Sequence, residues 1–295
     1  MRKRKDGKGF NISPSFVTSF FNCPIDAKMR YLDGKKGVSN MNFVRGSAVH
    51  DGLEAYWQMI QSYPERAADP ALLEKIVTIA KKKLIEIYEK EIQPYPELRD
   101  PLLLSDYVEW LPLAFEWYVD TYGDVFKPIA VEGWLNVKIC TAPDGQDLWL
   151  NGRTDNEFDV MRDFNQYKKG ERILADTKTK QKKGGIYKSN VEQLKYYMVG
   201  LHILGKQFDH VELHNHVFKQ KTTPKRGKGL PIRYEFYTNR FDFEVDEFAI
   251  EMVKMKFLAV YDAWKKCAWY PSGITGAFGC SGCGNRFNCD FYEME

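Results

Sequence analysis

From residue 129 onward the hydrophobic period of this chain changes, and that change limits its fold more than any other feature. Val131, Gly133, Leu135, Val137 and Ile139 alternate with more polar neighbours, a period of two that fits a β-strand and not a helix. The turn signal Pro143-Asp144-Gly145 leads to a second strand, and GRTDNEFDVM at 152–161 carries on into a third. A turn at Lys168-Lys169-Gly170 precedes a short strand over 172–178. Helical spacing returns over about 189–204, strands follow near 209–219 and 231–238, and a last helix is expected near 244–266. Upstream of 129 the periodic stretches are helical. The first covers 13–22, with Ser13 or Ser15 as N-cap and Pro14 in the first turn. The second, about 42–60, carries Val49, Leu53, Tyr56, Trp57 and Ile60 on one stripe. Two more, near 70–92 and 105–122, are separated by the breaker-rich QPYPELRDP. Strands, a helix and more strands make an α/β chain with a mixed central β-sheet flanked by helices. The expectation is one domain over 1–295, with a helical insertion at about 61–127.

At 295 residues, 44% apolar and 15% aromatic, the chain can bury a sizeable core. Its 43 Lys and Arg against 40 Asp and Glu leave a net charge of +3, which excludes a histone-like polycation but allows a local basic patch. No run reaches the ~18 uninterrupted apolar residues of a membrane span. The basic residues 1–9 lead into a polar stretch and not an apolar signal core. A cytoplasmic protein without a membrane partner is expected, in a bacterium or in a host cell if phage-encoded.

Six cysteines sit at 23, 140, 267, 280, 283 and 289. In a long chain without a signal peptide, clustered cysteines more often bind metal than form disulfides. Cys280-x2-Cys283-x5-Cys289 lies in a Gly- and Asn-rich segment that can wrap one centre, and it lacks a fourth thiolate. Cys23, before Pro24 and after a helix, stands apart from Cys140 and Cys267, which read as ordinary residues. Four thiolates suit zinc or an iron–sulfur cluster, and spacing does not decide between them.

Carboxylates cluster at strand ends. Asp155 closes a short sheet segment after Gly152, and Asp176-x-Lys178 lies near the end of the 172–178 strand with both side chains on one face. Carboxylates hold Mg2+ or Mn2+, and an ammonium two residues along can orient a metal-bound water and stabilise charge on a phosphoryl oxygen. By itself such a pair is ordinarily a surface ion pair. Here it has company. His50 shares a helix face with Leu53, Glu54 and Trp57, and Gln193 and Tyr197, four apart, share another.

Taken in order, the chain carries Cys23-Pro24, a helix with Arg45-Gly46 and His50, Gly152-Arg153-Thr154-Asp155, Asp176-Thr177-Lys178-Thr179, Gln193-x3-Tyr197 and Cys280-x2-Cys283-x5-Cys289. With this set it resembles the RecB-like branch of the PD-(D/E)XK nucleases, specifically the iron–sulfur members. These include the CRISPR-associated RecB-like exonucleases, the AddB nuclease domain and phage relatives. The resemblance implies a restriction-endonuclease-like core, a C-terminal iron–sulfur loop, and a structural 4Fe-4S cluster on Cys23, Cys280, Cys283 and Cys289. It further implies Mg2+- or Mn2+-dependent phosphodiester hydrolysis. His50, Asp155 and Asp176 would bind that metal, with the backbone carbonyl of Thr177. Lys178 would position the attacking water, and Gln193 and Tyr197 would contact DNA or steady the site. Thr177 departs from the family pattern, which usually has a bulkier apolar or aromatic residue there.

Two acid-free basic stretches follow the D-x-K motif. Lys180, Lys182 and Lys183 in the first, and Lys225, Arg226 and Lys228 in the second, are candidate phosphate contacts. On the 209–219 strand, His210, Glu212, His214 and His216 share a face that reads as solvated. The expected function is a metal-dependent deoxyribonuclease, an exonuclease favouring single strands or free ends, in recombination, repair or phage DNA metabolism. Recombination or CRISPR-type proteins are its expected partners. The alternatives are a structure-specific endonuclease with the same centre, a DNA-binding recombination subunit with little nuclease activity, and a zinc-stabilised DNA-binding protein.

Overall fold

The computed structural model describes residues 2–5, 7–35, 37, 39–67, 69–180, 184, 188–219, 233–269 and 289. In chain order the elements are β1 (Arg2–Lys3), β2 (Gly9–Ile12), α1 (Pro14–Asn22), α2 (Pro24–Tyr31), α3 (Met41–Ser62), α4 (Pro70–Glu91), α5 (Pro101–Tyr122), β3 (Phe126–Thr141), β4 (Asp147–Val160), β5 (Arg172–Lys180), α6 (Lys188–Ile203), β6 (His210–Lys219), β7 (Arg233–Phe241) and α7 (Glu247–Lys265). The sheet runs β1-β2-β4-β5-β6-β7, and β3 pairs with β4 off that path. It is mixed: β2/β4 and β5/β6 are parallel, and the other pairs are antiparallel. The α/β class with a mixed sheet and flanking helices is as the sequence predicts. Two expected strands merge, however, because β4 passes through Gly152 unbroken. A Cβ at Gly152 would lie 3.1 Å from Tyr197 and 3.2 Å from Pro14, so this glycine serves close packing and does not end a strand.

Two apolar clusters cover the two sides of the sheet. The first gathers α3, α4 and α5 over Phe126, Phe158, Val160, Ile173 and Ala175, so the helical stretch expected at 61–127 shares its core with the sheet. The second gathers α1, α6 and α7 over Phe10, Ile12, Leu135, Val137, Leu148, Leu150 and Leu174. On β5, neighbours Ile173 and Leu174 enter different clusters, as a period of two demands. The two longest strands break that rule. On β4, Leu148 and Leu150 pack in the second cluster while Phe158 and Val160, of the same parity, pack in the first. On β3, Val131 packs against the first and Leu135 in the second. The two strands therefore change sides along their length, and the β3/β4 ladder is irregular between Pro128 and Ala130 and between Lys138 and Cys140. In β3 the change of cluster lies between Val131 and Leu135, a stretch that includes Glu132, whose φ of 50° puts a non-glycine residue in the left-handed region.

Helix α3 begins where Asn40 Oδ1 accepts the Phe43 N–H at 3.0 Å. Its buried stripe holds Val49, Leu53, Tyr56, Trp57 and Ile60 as expected. The face of β6 read as solvated is a correction, since Glu212, His214 and His216 are buried. Glu212 accepts from Tyr167 Oη (2.9 Å) and Arg240 Nε (2.8 Å) and pairs with His214 Nε2 (3.0 Å). His214 and His216 meet the hydroxyls of Tyr118 and Tyr234, each at 3.0 Å. The reason is tertiary: Tyr118 of α5 lies over that face, and the buried side chains bond to one another and to neighbouring tyrosines. Burial would raise the Glu212 carboxyl, but His214 and Arg240 hold it below its usual range. Among the described residues no helix is long and apolar enough to cross a membrane.

Gly9 lets β2 lie against β4. Its φ is +145°, and a Cβ there would stand 2.1 Å from the Asp147 carbonyl oxygen. Gly9→Ala should therefore part β2 from β4, at a cost of about 1–3 kcal/mol from backbone strain alone. The check is a lower melting temperature together with faster amide exchange at 9–12 and 147–150.

Candidate metal centre

One edge of β4 carries β3 along its length, and the other is divided. Residues 147–150 pair with β2 and 156–159 pair with β5. In the gap between, the Asp155 carboxylate takes over a backbone role, as its Oδ2 accepts the Thr177 N–H at 2.8 Å. The sheet forks at this point, and the fork fixes Asp155 beside the end of β5.

Across the ladder, Val131 pairs with Asn156 and Gly133 with Thr154, which sets Glu132 opposite Asp155. Like charges directly opposed on neighbouring strands repel, and here His50 comes in from α3 with its Nδ1 3.4 Å from Asp155 Oδ2. One ligand atom from each of His50, Glu132 and Asp155 lies within 4.8 Å of the others. Burial, with the Asp155 charge adding to it, pushes the Glu132 carboxyl up to about 7, against the pull of Arg153. Arg153 Nε stands 3.1 Å from Glu132 Oε2. A donor set of carboxylate oxygens and one imidazole fits a small divalent cation such as Mg2+ or Mn2+. Glu132 is the residue the sequence reading missed. Its only signal was a carboxylate at a polar position of an alternating strand, which looks like a solvated residue.

Helix α3 is held so that His50 reaches this point. Arg45 is fully buried, its guanidinium 5.0–5.8 Å from the rings of Tyr107, Trp110 and Phe218. Burial lowers its pKa, with Tyr107 opposing. One residue on, a Cβ at Gly46 would meet Thr179 Oγ1 at 3.2 Å, so helix and strand touch closely there.

Asp176 and Lys178 stand beside the three ligand candidates as a buried ion pair, Nζ to Oδ2 2.5 Å. Burial raises the Asp176 carboxyl against the pull of Lys178, and Asp155 adds to the rise. Lys178 resists its own desolvation because Asp176 and Asp155 both favour the ammonium. Gln193 Nε2 donates to Tyr197 Oη at 3.1 Å on α6. The Tyr197 phenol is raised by burial, and it feels the charges of Asp176, Asp155 and Glu132. Above lies an open cleft of about 450 Å³ lined by His50, Glu132, Arg153, Lys178, Phe43 and Thr179, among others.

The remaining expected residues fall elsewhere. Lys180 is buried, and its Nζ donates to Tyr237 Oη at 3.1 Å, directed into the sheet instead of at solvent. Lys182, Lys183, Lys225, Arg226, Lys228, Cys280 and Cys283 lie outside the described residues. Cys23 closes α1 and opens α2. Cys23 and Cys289 are free and half-buried, Cys267 is exposed, and burial pushes the Cys140 thiol up to about 11.

The opposed carboxylates give a test in the metal-free protein. Folding raises Glu132 above its ordinary 4.5, so its contribution to stability is complete below 4.5 and is lost as pH rises through about 7. Manganese bound at the centre would restore stability at neutral pH by mass action. Glu132→Gln should flatten the loss between pH 4.5 and 7 and abolish the manganese-induced rise in melting temperature. A full manganese shift in that variant would remove Glu132 from the ligand set.

The family described as the PD-(D/E)XK nuclease superfamily matches residues 11–290. No curated protein matches the chain. Among solved structures, one described as the crystal structure of SSO0001 aligns over 98% of this chain and 88% of its own, at 14% identity and a TM-score of 0.41. The family match takes in the forked sheet, the His50 helix and the D-x-K strand together, and the chain belongs to the PD-(D/E)XK nuclease superfamily.

Proposed function

We propose that this protein is a Mg2+- or Mn2+-dependent deoxyribonuclease of the RecB-like, iron–sulfur branch, an exonuclease that works on single strands or free ends. The observation that carries the reading is the meeting of His50, Glu132 and Asp155 beside the Asp176–Lys178 pair at an open cleft. A divalent ion there would supply a water of lowered pKa and neutralise charge on the phosphate. His50, Glu132 and Asp155 would hold it, with Asp176 and the Thr177 carbonyl as further ligands. Lys178 keeps its proton, so its ammonium can orient the nucleophile and stabilise charge developing on a phosphoryl oxygen. Tyr197, buried and bonded by Gln193, keeps a neutral phenol near the carboxylates.

Asp155→Asn and Asp176→Asn should each abolish metal-dependent cleavage and leave DNA binding largely intact, since an anionic ligand is lost with little change in shape. Lys178→Ala should lower kcat more than affinity, because its contribution belongs to the transition state. The assay is digestion of end-labelled and circular single- and double-stranded DNA with Mg2+, Mn2+ or EDTA. Parental rates in Asp176→Asn would refute the site, and ready cutting of circles would favour the endonuclease reading.

The 4Fe-4S part of the proposal rests on cysteine spacing and on the free Cys23 thiol at the junction of two helices. Cys140, whose thiol burial keeps protonated, is a poor ligand by comparison. A centre joining Cys23 to Cys280, Cys283 and Cys289 would tie the start of the fold to its end, stabilising it by roughly 5 kcal/mol at most on a loop-closure estimate. Cys23→Ser should lose iron and sulfide and melt at a lower temperature, whereas Cys140→Ser and Cys267→Ser keep their iron. Anaerobic purification with metal analysis decides it, and a zinc-loaded, colourless protein would overturn the cluster.

A further inference from the structure

Beyond the cleft, the side of β3 and β4 that faces away from the second core carries an unusual set of side chains. On β3 these are Trp134, Asn136 and Lys138, exposed between the buried Leu135, Val137 and Ile139. On β4 they are Trp149, Asn151 and Arg153, the cross-strand partners of Lys138, Asn136 and Trp134. Asn11 of β2 pairs with Trp149 and continues the row. Each indole is matched with a guanidinium: Arg153 lies 5.6 Å from the Trp134 ring and Arg4 lies 3.9 Å from the Trp149 ring. Arg4 also reaches Asn136 at 3.2 Å and Asn11 at 3.4 Å. Trp134 is 73% exposed, the highest among the large hydrophobic side chains of the described residues.

This row begins at the metal centre. Arg153 is ion-paired to Glu132, and Trp134 stands two residues along β3, about 7 Å at ~3.3 Å per residue. The pair Lys138–Trp149 stands four residues beyond Trp134, about 13 Å away on the same scale. Its carboxylates are Glu132, which belongs to the centre, and Asp147, which Lys138 neutralises at 2.7 Å. Surface ion pairs of this kind are weak, so a phosphate can take over the cation.

We propose that this open face is the track for an unpaired strand of nucleic acid, with bases stacked on Trp134 and then Trp149 and phosphates met by Arg153, Arg4 and Lys138. Charge complementarity and the indole–guanidinium alternation select this occupant, because alternating stacking platforms and cations match the alternating bases and phosphates of a single strand. A duplex keeps its bases stacked on one another and cannot present them to the indoles. The proposal rests on the nuclease reading and deepens it, because the face leads into the carboxylate site and would give it a single-strand preference.

The test uses the full chain without added metal, so that binding is read apart from cleavage. Fluorescence anisotropy is recorded with labelled oligothymidylate and with a duplex of the same length. Trp134→Ala should bind the single strand about tenfold more weakly, with duplex binding and melting temperature unchanged. Trp134→Phe should restore affinity to within about threefold of the parent, because a smaller ring still stacks. Arg4→Ala should make log K against log salt shallower by about 0.7, one phosphate's worth on a single strand. Parental single-strand affinity in Trp134→Ala, or an equal loss on duplex, overturns the track even if the parent cleaves DNA. If the parent binds the strand through Trp134 but no metal supports cleavage, the nuclease reading fails and the track stands.

Discussion

Two carboxylates set opposite each other on adjacent strands, Glu132 and Asp155, are the constraint around which the rest of this molecule is arranged. Left alone, the pair is repulsive and partly desolvated. The Thr177 N–H, the His50 imidazole and the Arg153 guanidinium each take up part of that charge, and Glu132 meets the remainder by holding its proton up to about pH 7. The left-handed backbone at Glu132 belongs to the same arrangement. It lies in the stretch of β3 that passes from one core to the other. Strained positions of this sort persist only when surrounding packing fixes them, and both cores do so here.

Much of this was legible in the sequence. The stripe on the 42–60 helix, the strand alternation from 129 and the Pro143-Asp144-Gly145 turn follow from periods and turn chemistry that local physics enforces. Asp155, Asp176, Lys178 and His50 could be picked out only as an ordered set that resembles a nuclease family, because a D-x-K pair alone is ordinarily a surface ion pair. What escaped was tertiary. Glu132 occupies a polar slot in an alternating pattern and is indistinguishable from a solvated residue until Asp155 is placed across from it. The His214–Glu212 row alternates like a wet strand face, yet Tyr118 lies over it. Lys180 reads as one of a run of surface lysines, but its place at the end of β5 aims it at Tyr237. The short β2 offers four residues of signal, too few to reveal a parallel partner in β4.

The buried polar groups divide by what they do. Glu212 is bonded by His214, Tyr167 and Arg240, and these contacts tie β6 to β7 beneath α5. Arg45 is different, a guanidinium among three aromatic rings with burial working against its charge. A hydrocarbon of similar volume would cost less to bury. The planar cation instead packs α3 against Tyr107 and Trp110 of α5 and Phe218 of β6, five residues before His50.

The pairing of Gly9 with Asp147 has a consequence for how the chain comes into being. Synthesis delivers α1 to α5 before any residue of β3, so these helices emerge with apolar stripes and no sheet to lie on. Contacts so distant in sequence are slow to form, because a long loop must close before they repay it. Until β5 has left the ribosome, His50 has no Asp176 or Lys178 beside it, and a nascent chain therefore cannot assemble the centre. Those exposed stripes are the surfaces on which chaperones act and aggregates nucleate.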